Sequence, residues 1–433
     1  MAALTVLALA VLAHALVSQR LRSTVVSAPM IFVAVGLLTG PQALDLARID
    51  LGSEEVIVLA ELTLSIVLFS DAVRVDPRMA RSFVGIPARM LGLGLPMVIG
   101  FGTVIARVAL GLEWAEAALL ASILGATDAA LGQAVLTDDS VPGRIRSSLN
   151  VESGLNDGLA LPAVTLFTAI TAAESGARPP SYWIRFVAEQ IGFGIAAGAV
   201  VGIAAGWLLV RARRASWVDG VDGQLAALAQ VGLAFVLAHE IGGNTFIAAF
   251  VAGLAFRFIG RDDAEYLCEF TEDGGQLFAS ITFVVFGNAL LGPALGALTI
   301  PIAVCVVATL TIGRMIPIAV SLVGTGLRAP TVVFLGWFGP RGLASILFAL
   351  TVIEGSDREV DDTLFVVVAW AVLSSVVIHG ATASWGARHY GAWFAAHRAA
   401  THDQDAIMED DPDGESPVLR PRWTPRPSPD VSD

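Results

Sequence analysis

The chain has 433 residues, of which 55% are apolar and only 15% are charged, and its mean hydropathy is +0.72. Soluble domains contain about 45–50% apolar and about 25% charged residues. The composition therefore excludes a soluble globular enzyme or binding module. It indicates a membrane protein that crosses the bilayer many times.

Runs with few charges follow one another along the chain. They cover residues 2–19, 23–44, 56–70, 90–106, 117–136, 158–173, 186–210, 225–238, 241–256, 276–313, 329–353 and 363–387. A crossing takes about 20 residues, so the run at 276–313 is too long for one helix, and Gly292-Pro293 splits it. The runs predict an all-α membrane protein with about 13 transmembrane helices. No basic region precedes the first run, so we interpret it as a membrane helix and not as a signal peptide.

The distribution of arginines predicts on which side of the membrane each end of the chain lies. Arginines follow predicted helices 1, 3, 5, 7, 9, 11 and 13, so thirteen crossings place all of them on one side, which the positive-inside rule assigns to the cytoplasm. They include Arg20, Arg22, Arg74, Arg78 and Arg81. We expect a cell (inner or plasma) membrane protein with its N-terminus outside. Residues 1–398 form the transmembrane domain, and residues 399–433 form a disordered, acidic and Pro-rich cytoplasmic tail.

Predicted helix 7 leaves six helices on each side of it. A linking helix of this kind inverts the second half, which gives two inverted six-helix repeats. The fifth helix of each half is interrupted, by "GATDAALG" at residues 125–132 and by "GWFGPRGLAS" at 336–345. Matching interruptions predict discontinuous crossed helices around a transport site. The alternative is two ordinary helix kinks.

Three carboxylates lie in or beside the membrane runs. Asp128 belongs to the first interruption, and Glu152 and Asp157 lie on predicted helix 6. A charge at mid-bilayer costs about 2.5–3.5 kcal/mol on insertion scales, so each acid needs a reason to be there. Ser153, Asn156 and Asp157 share one helix face, because their spacings are three and four residues.

These residues can serve a cation or merely join helices. Carboxylate, hydroxyl and carbonyl oxygens suit hard cations, and a broken helix at Thr127 and Asp128 frees backbone carbonyls. Alternatively, arginine neutralises each acid and the pair holds helices together. Arg314 and Arg341 fall in otherwise apolar segments and are the natural partners, because an unpaired buried charge is costly.

Three segments carry a resemblance to a known family. "TDAALGQAVL", "VPGRIRSSLNVESGLNDGLALP" and "GPRGLASILFAL" resemble the monovalent cation/proton antiporters of the prokaryotic sodium/proton exchanger and NHE type. The resemblance runs from about predicted helix 1 to helix 13. It implies a 13-helix antiporter with a dimerisation domain and a moving six-helix core. Such a protein exchanges Na⁺ or Li⁺ for H⁺ by alternating access.

The resemblance also implies roles for individual residues. Asp157 would bind the cation and the proton, with Ser153 and the Thr127 main chain as further ligands and Glu152 nearby, through water. Asn156 and Asp128 would brace the crossed helices, and Arg314 would hold Glu152. Pro340, beside Arg341, departs from the family pattern, in which a bulky apolar residue is more common.

The absence of lysine bears on stoichiometry, since all 26 basic residues are arginine. Relatives of the electrogenic type carry two adjacent acids and a lysine in the second half, where this chain has Asn156-Asp157 and Arg314. A buried lysine can lose its proton when a cation binds, whereas arginine cannot. The sequence therefore predicts electroneutral one-for-one exchange.

The sequence leaves alternatives to Na⁺/H⁺ antiport. The motifs do not fix the ion radius, so a K⁺/H⁺ antiporter and a non-transporting cation or pH sensor stay open. The sequence offers no base beside Ser153 for a serine protease and no paired aspartate motif for an aspartyl protease. An enzyme is therefore not expected. The expected partners are a monovalent cation, a proton, the lipid bilayer and a second copy in a homodimer, without nucleic acid. No cofactor is expected beyond the transported Na⁺ and H⁺.

Overall fold

A computed structural model describes residues 2–21, 26–74, 85–174, 179–354, 362–400 and 409, and all regular structure within these ranges is helical. Several predictions fall outside the described residues. They concern Arg22, Arg78 and Arg81, and the tail at 401–408 and 410–433.

The helices are labelled here in chain order, with a and b for the two halves of a broken helix. Helices α1 to α4 cover Ala2–Leu21, Ala28–Thr39, Glu54–Val73 and Ile86–Leu110. Helix α5a covers Trp114–Ile123 and α5b covers Gln133–Leu136. Helices α6 to α9 cover Gly143–Glu174, Pro180–Arg214, Gly220–Glu240 and Thr245–Gly260. The short helix Asp262–Leu267 precedes α10 at Glu269–Ala297 and α11 at Ile300–Ser321. Helices α12a, α12b and α13 cover Ala329–Trp337, Leu343–Glu354 and Thr363–Ala400.

The prediction of an all-α membrane protein is confirmed. The described residues contain eight helices that are long and apolar enough to cross a membrane and five shorter apolar helices. The exact number of crossings stays a prediction, because a full crossing takes about 20 residues and the shorter helices have 10–17. The domain boundary between residues 398 and 399 also stays a prediction.

The innermost helices are α12b and α13. Ile346, Leu347 and Phe348 of α12b and Val367 and Val368 of α13 have no accessible surface. A helix that is apolar on all sides is buried by its neighbours, and here α3, α5a and α6 pack on α12b while α10 and α11 pack on α13. The interruption between α12a and α12b is therefore enclosed by protein.

Helices α7 and α9 approach each other through glycines. A Cβ atom on Gly194 would lie 2.7 Å from the carbonyl oxygen of Asn244, and one on Gly198 or Gly202 would overlap the carbonyl oxygen of Ala248 or Ala252. Small residues at such spacing let membrane helices pack backbone against backbone. The spacing of four residues keeps these glycines on one face of α7.

This contact predicts different changes in the free energy of unfolding for substitutions at two glycines of α7. Gly202→Ala should lower the free energy of unfolding by about 1–3 kcal/mol, because the new methyl group meets backbone that cannot rotate away. The matched control is Gly192→Ala, where nothing lies within 4 Å of the new Cβ. That variant should be neutral or gain up to about 1 kcal/mol. Thermal unfolding in detergent measures both, and an equal effect of the two substitutions would contradict the proposed contact.

Candidate ion site at the crossed helix breaks

Two broken helices meet at the centre of the protein. Helix α5a ends at Ile123 and α5b begins at Gln133, while α12a ends at Trp337 and α12b begins at Leu343. The backbone N–H of Asp128 donates to the carbonyl oxygen of Pro340 at 2.8 Å. The two interruptions therefore cross in direct backbone contact.

Each interruption supplies a charge to the end of the other helix. The Asp128 Oδ2 atom accepts from the backbone N–H of Leu343 at 2.9 Å, at the N-terminus of α12b. The Arg341 Nη1 atom donates to the carbonyl oxygens of Gly125 at 3.1 Å and Ala126 at 3.0 Å, which follow α5a. A carboxylate suits the positive end of a helix dipole and a guanidinium suits the negative end. The crossing thus satisfies polar groups that no water could reach in a bilayer.

The two glycines of "GPRG" make room for these charged side chains. A Cβ atom on Gly342 would overlap the carboxylate of Asp128, and one on Gly339 would overlap the guanidinium of Arg314. Close approach of a buried charge to the backbone therefore explains why glycine occupies both positions.

The position of Arg341 corrects one expectation. It was expected to pair with a buried acid, yet its hydrogen bonds go to carbonyl oxygens at the end of α5a. The reason is geometric, since the crossing brings the arginine to a helix end whose carbonyls lack partners. Pro340, where the sequence departs from the family pattern, contributes its carbonyl to the crossing and also lines the cavity there.

Arg314 and Glu152 form a buried ion pair. The Arg314 Nη1 and Nη2 atoms donate to the two carboxylate oxygens of Glu152 at 3.1 and 3.2 Å, and both side chains are 2% exposed. The Asn156 Nδ2 atom donates to the same carboxylate at 3.0 Å. Fork-shaped pairs of this kind are strong and fix orientation. The Glu152 carboxylate is therefore held in place by hydrogen bonds from protein groups.

The remaining predicted ligands lie beside this pair. The Ser153 hydroxyl donates to the carbonyl oxygen of Thr127 at 3.1 Å. A cavity of about 20 Å³ is lined by Thr127, Glu152 and Ser153, together with Phe338 and others of the crossing. This volume is enough for one water molecule or ion. Asp157 is 3% exposed and lies one turn further along α6, and it is not among the residues that line the cavity.

Helix α13 supports the interruption in a way the sequence did not indicate. The Ser375 Oγ atom accepts from the backbone N–H of Arg341 at 2.6 Å and lies 3.0 Å from the Nδ1 atom of His379. The Trp337 ring at the end of α12a lies 5.2 Å from the His379 ring. Ser345 adds a bond across the crossing, donating to the carbonyl oxygen of Ile123 at 2.9 Å. Serines in a membrane helix give no pattern that would single them out.

Comparison with known proteins agrees with this architecture. The family model described as "Sodium/hydrogen exchanger, transmembrane" matches residues 6–388. The chain belongs to the sodium/hydrogen exchanger family. The resemblance drawn from the sequence motifs is thereby confirmed.

Relatives within this exchanger family differ in the cation that their names give. The chain is 26% identical over 355 residues to the K⁺/H⁺ antiporter NhaP of Alkalimonas amylolytica, covering 80% of this chain and 60% of that protein. It is 28% identical over 260 residues to the Na⁺/H⁺ antiporter NhaS2 of Synechocystis, covering 59% of this chain and 47% of that protein. The chain thus spans about 60% of the length of the first of these relatives.

A solved exchanger structure shares the fold. The sodium proton antiporter MjNhaP1 of Methanocaldococcus jannaschii superimposes with a TM-score of 0.73 at 18% sequence identity. The match covers 87% of this chain and 98% of that one. The likeness confirms the antiporter-type helical fold.

The buried ion pair at the crossing gives a prediction on stability. Glu152→Ala or Arg314→Ala should each destabilise the protein by about 3–5 kcal/mol, because each leaves a buried charge without its partner. The double variant should lose clearly less than the sum of the single losses. Thermal unfolding in detergent of the four proteins measures the coupling. Additive losses would show that the two side chains do not depend on each other.

Proposed function

We propose that this protein exchanges Na⁺ or Li⁺ for H⁺ across a membrane by alternating access. The observation that carries the proposal is the charge balance at the crossing. Among the described residues there, the carboxylates of Asp128, Glu152 and Asp157 accompany the guanidiniums of Arg314 and Arg341, and all five side chains are buried. One negative charge is left over. A single Na⁺ or a single proton neutralises it, so the two should compete.

Asp157 is the group we assign to this competition. Asp128 is occupied by the N-terminus of α12b, and Glu152 by Arg314 and Asn156. In the proposed cycle Asp157 releases its proton to one side, binds a cation from that side, and the loaded site then opens to the other side. A buried carboxylate that stayed ionised without a cation would be costly. This cost favours movement only of the loaded forms.

The Ser153 hydroxyl and the Thr127 carbonyl are proposed as neutral ligands of the cation. The hydrogen bond between them uses the hydroxyl hydrogen and one carbonyl lone pair. Rotation of the hydroxyl would release both oxygens towards the cavity without movement of the backbone. Glu152 would act on the ion through water, since both of its oxygens are held by Arg314.

A second candidate is K⁺/H⁺ exchange by the same site. It is favoured by the name of a 26% identical relative, the K⁺/H⁺ antiporter NhaP. The two candidates share the residues and the mechanism and differ in the fit of the cation.

The setting of the protein completes the proposal. We place it in the cell membrane, with the N-terminus outside and the end of the bundle that carries Arg328 and the C-terminus in the cytoplasm. It would function there as a homodimer in sodium transport and pH homeostasis, without a cofactor. A non-transporting sensor would keep the site but would give no ion flux.

The first functional prediction concerns Asp157. Asp157→Asn should reduce exchange to the background of protein-free vesicles, because the amide cannot release a proton, while the protein remains folded. The matched control is Asp45→Asn at an exposed surface pair with Arg48, which should exchange normally. The assay is cation-driven recovery of a pH-sensitive dye in proteoliposomes, run separately with Na⁺, Li⁺ and K⁺. Normal exchange by Asp157→Asn would exclude it as the site, and absence of flux with every cation would favour the sensor.

The second functional prediction is that exchange is electroneutral. In the proposed cycle Asp157 is the group that changes protonation, and arginine cannot supply a second proton. The rate and the final pH gradient should therefore not change with membrane potential. The test clamps vesicles at different potentials with an ionophore and an ion that the protein does not exchange, at a fixed pH gradient. Transport that follows the voltage would require a second titrating group.

A further inference from the structure

Glu409, from the tail that was expected to be solvated, is buried against the transmembrane helices. It is the only tail residue beyond Ala400 among the described residues, and it is 1% exposed. Its Oε1 atom accepts from the backbone N–H of Arg328 at 2.8 Å and from the hydroxyl of Thr331 at 3.0 Å. The carboxylate therefore lies at the N-terminus of α12a.

Tyr390 of α13 completes this contact. Its hydroxyl lies 3.0 Å from the Thr331 hydroxyl. Thr331 has a single hydroxyl hydrogen, which it donates to Glu409, so Tyr390 must be the donor to Thr331. The hydrogen bonds then run in one direction, from Tyr390 through Thr331 to the carboxylate. Hydrogen bonds that end on a charged group are the stronger kind.

Helix α12a has no cap of its own. Arg328, at its N-cap position, makes no side-chain capping bond, and Pro330 follows in the first turn. A carboxylate at this end is favoured by the helix dipole. Glu409 thus provides from the tail what Asp128 provides for α12b.

An aromatic column connects this cap to the ion site. The Tyr390 ring stacks on Phe334 with centroids 4.2 Å apart and planes at 19°, and the Phe334 and Phe338 centroids are 4.8 Å apart. Phe338 lines the cavity that also contains Thr127 and Ser153. A shift of α12a at Glu409 is therefore transmitted to the wall of the cavity through packed rings.

The chain is long enough for this contact. Helix α13 continues from Tyr390 to Ala400, a distance of about 15 Å at the rise of an α-helix. The segment from Ala400 to Glu409 can extend about 30 Å. Glu409 can return to the level of Tyr390 without any change in α13.

We propose that Glu409 is a positioning residue for the ion site, which it reaches by fixing α12a and the Phe334–Phe338 pair. The proposal rests on the proposed function, because it concerns the affinity of that site for its cation. With Glu409 in place, the protein stays in the arrangement that can bind. Without it, α12a samples other arrangements, and the apparent affinity falls in proportion to the fraction that remains competent.

The contact itself is tested by proteolysis of the full chain in detergent. A glutamate-specific protease must draw the Glu409 side chain out of its site before it can cut there. Cleavage after Glu409 should be about tenfold slower than cleavage after Glu415 of the same tail, because it requires local opening. Thr331→Val keeps the shape of the side chain but removes the donor, and should bring the two rates closer. Equal rates in the wild-type protein would overturn the contact.

The positioning role is tested by exchange kinetics in proteoliposomes. Glu409→Ala should raise the apparent KM for the cation by about fivefold with little change in kcat. Glu409→Gln keeps an acceptor oxygen and should restore part of the affinity. Thr331→Val combined with Glu409→Ala should raise KM no further than Glu409→Ala alone. The control Glu415→Ala removes the same charge from the tail and should leave KM unchanged.

The kinetic results distinguish a positioning role of Glu409 from a role in folding and from an effect of tail charge. A lower kcat at unchanged KM would mean that Glu409 only supports folding, and an equal rise in KM for Glu415→Ala would mean that tail charge alone matters. Either result overturns the positioning role. If the wild-type protein exchanged no cation, the proposed function would fail and this role with it, whereas faster cleavage after Glu409 in Thr331→Val than in the wild-type protein would still establish the contact.

Discussion

The architecture depends on two charged side chains, each of which comes from one broken helix and caps an end of the other. Breaking a helix in a membrane exposes carbonyl and N–H groups that lipid cannot satisfy. Here the Asp128 carboxylate satisfies the N-terminus of α12b, and the Arg341 guanidinium satisfies the carbonyls that follow α5a. Neither break is stable without the other. The Thr127 carbonyl, which accepts from the Ser153 hydroxyl, and the small cavity both lie at this crossing.

The same crossing explains the different roles of similar side chains. Three carboxylates lie in one buried region, yet Asp128 is committed to a helix end and Glu152 to a guanidinium. Both commitments use charged hydrogen bonds that are costly to break in a medium of low polarity. The third carboxylate, Asp157, lies one turn along α6 from Ser153. Position along the helix, and not residue type, distinguishes the group that we expect to titrate.

Much of this arrangement could be predicted from the sequence, because it depends on local rules. The interruptions at 125–132 and 336–345 follow from Gly and Pro in membrane helices, and the shared face of Ser153 and Asp157 follows from helical periodicity. The partner of Arg341 could not be predicted, because it depends on which helix ends meet at the crossing. The contact of Glu409 with α12a could not be predicted either, because composition identifies a tail as a whole and gives no position for a single residue in it.

The glycine contact between α7 and α9 has a mechanical consequence. Where the backbones of two helices touch, no side-chain rotamers lie between them that could repack during a movement. One helix could not slide along the other without bringing Cβ atoms against the carbonyls of Ala248 and Ala252. Helices α7 and α9 should behave as a single rigid unit. Any alternating movement must then be taken up at interfaces filled with side chains, and α7 and α9 should keep their relative position throughout.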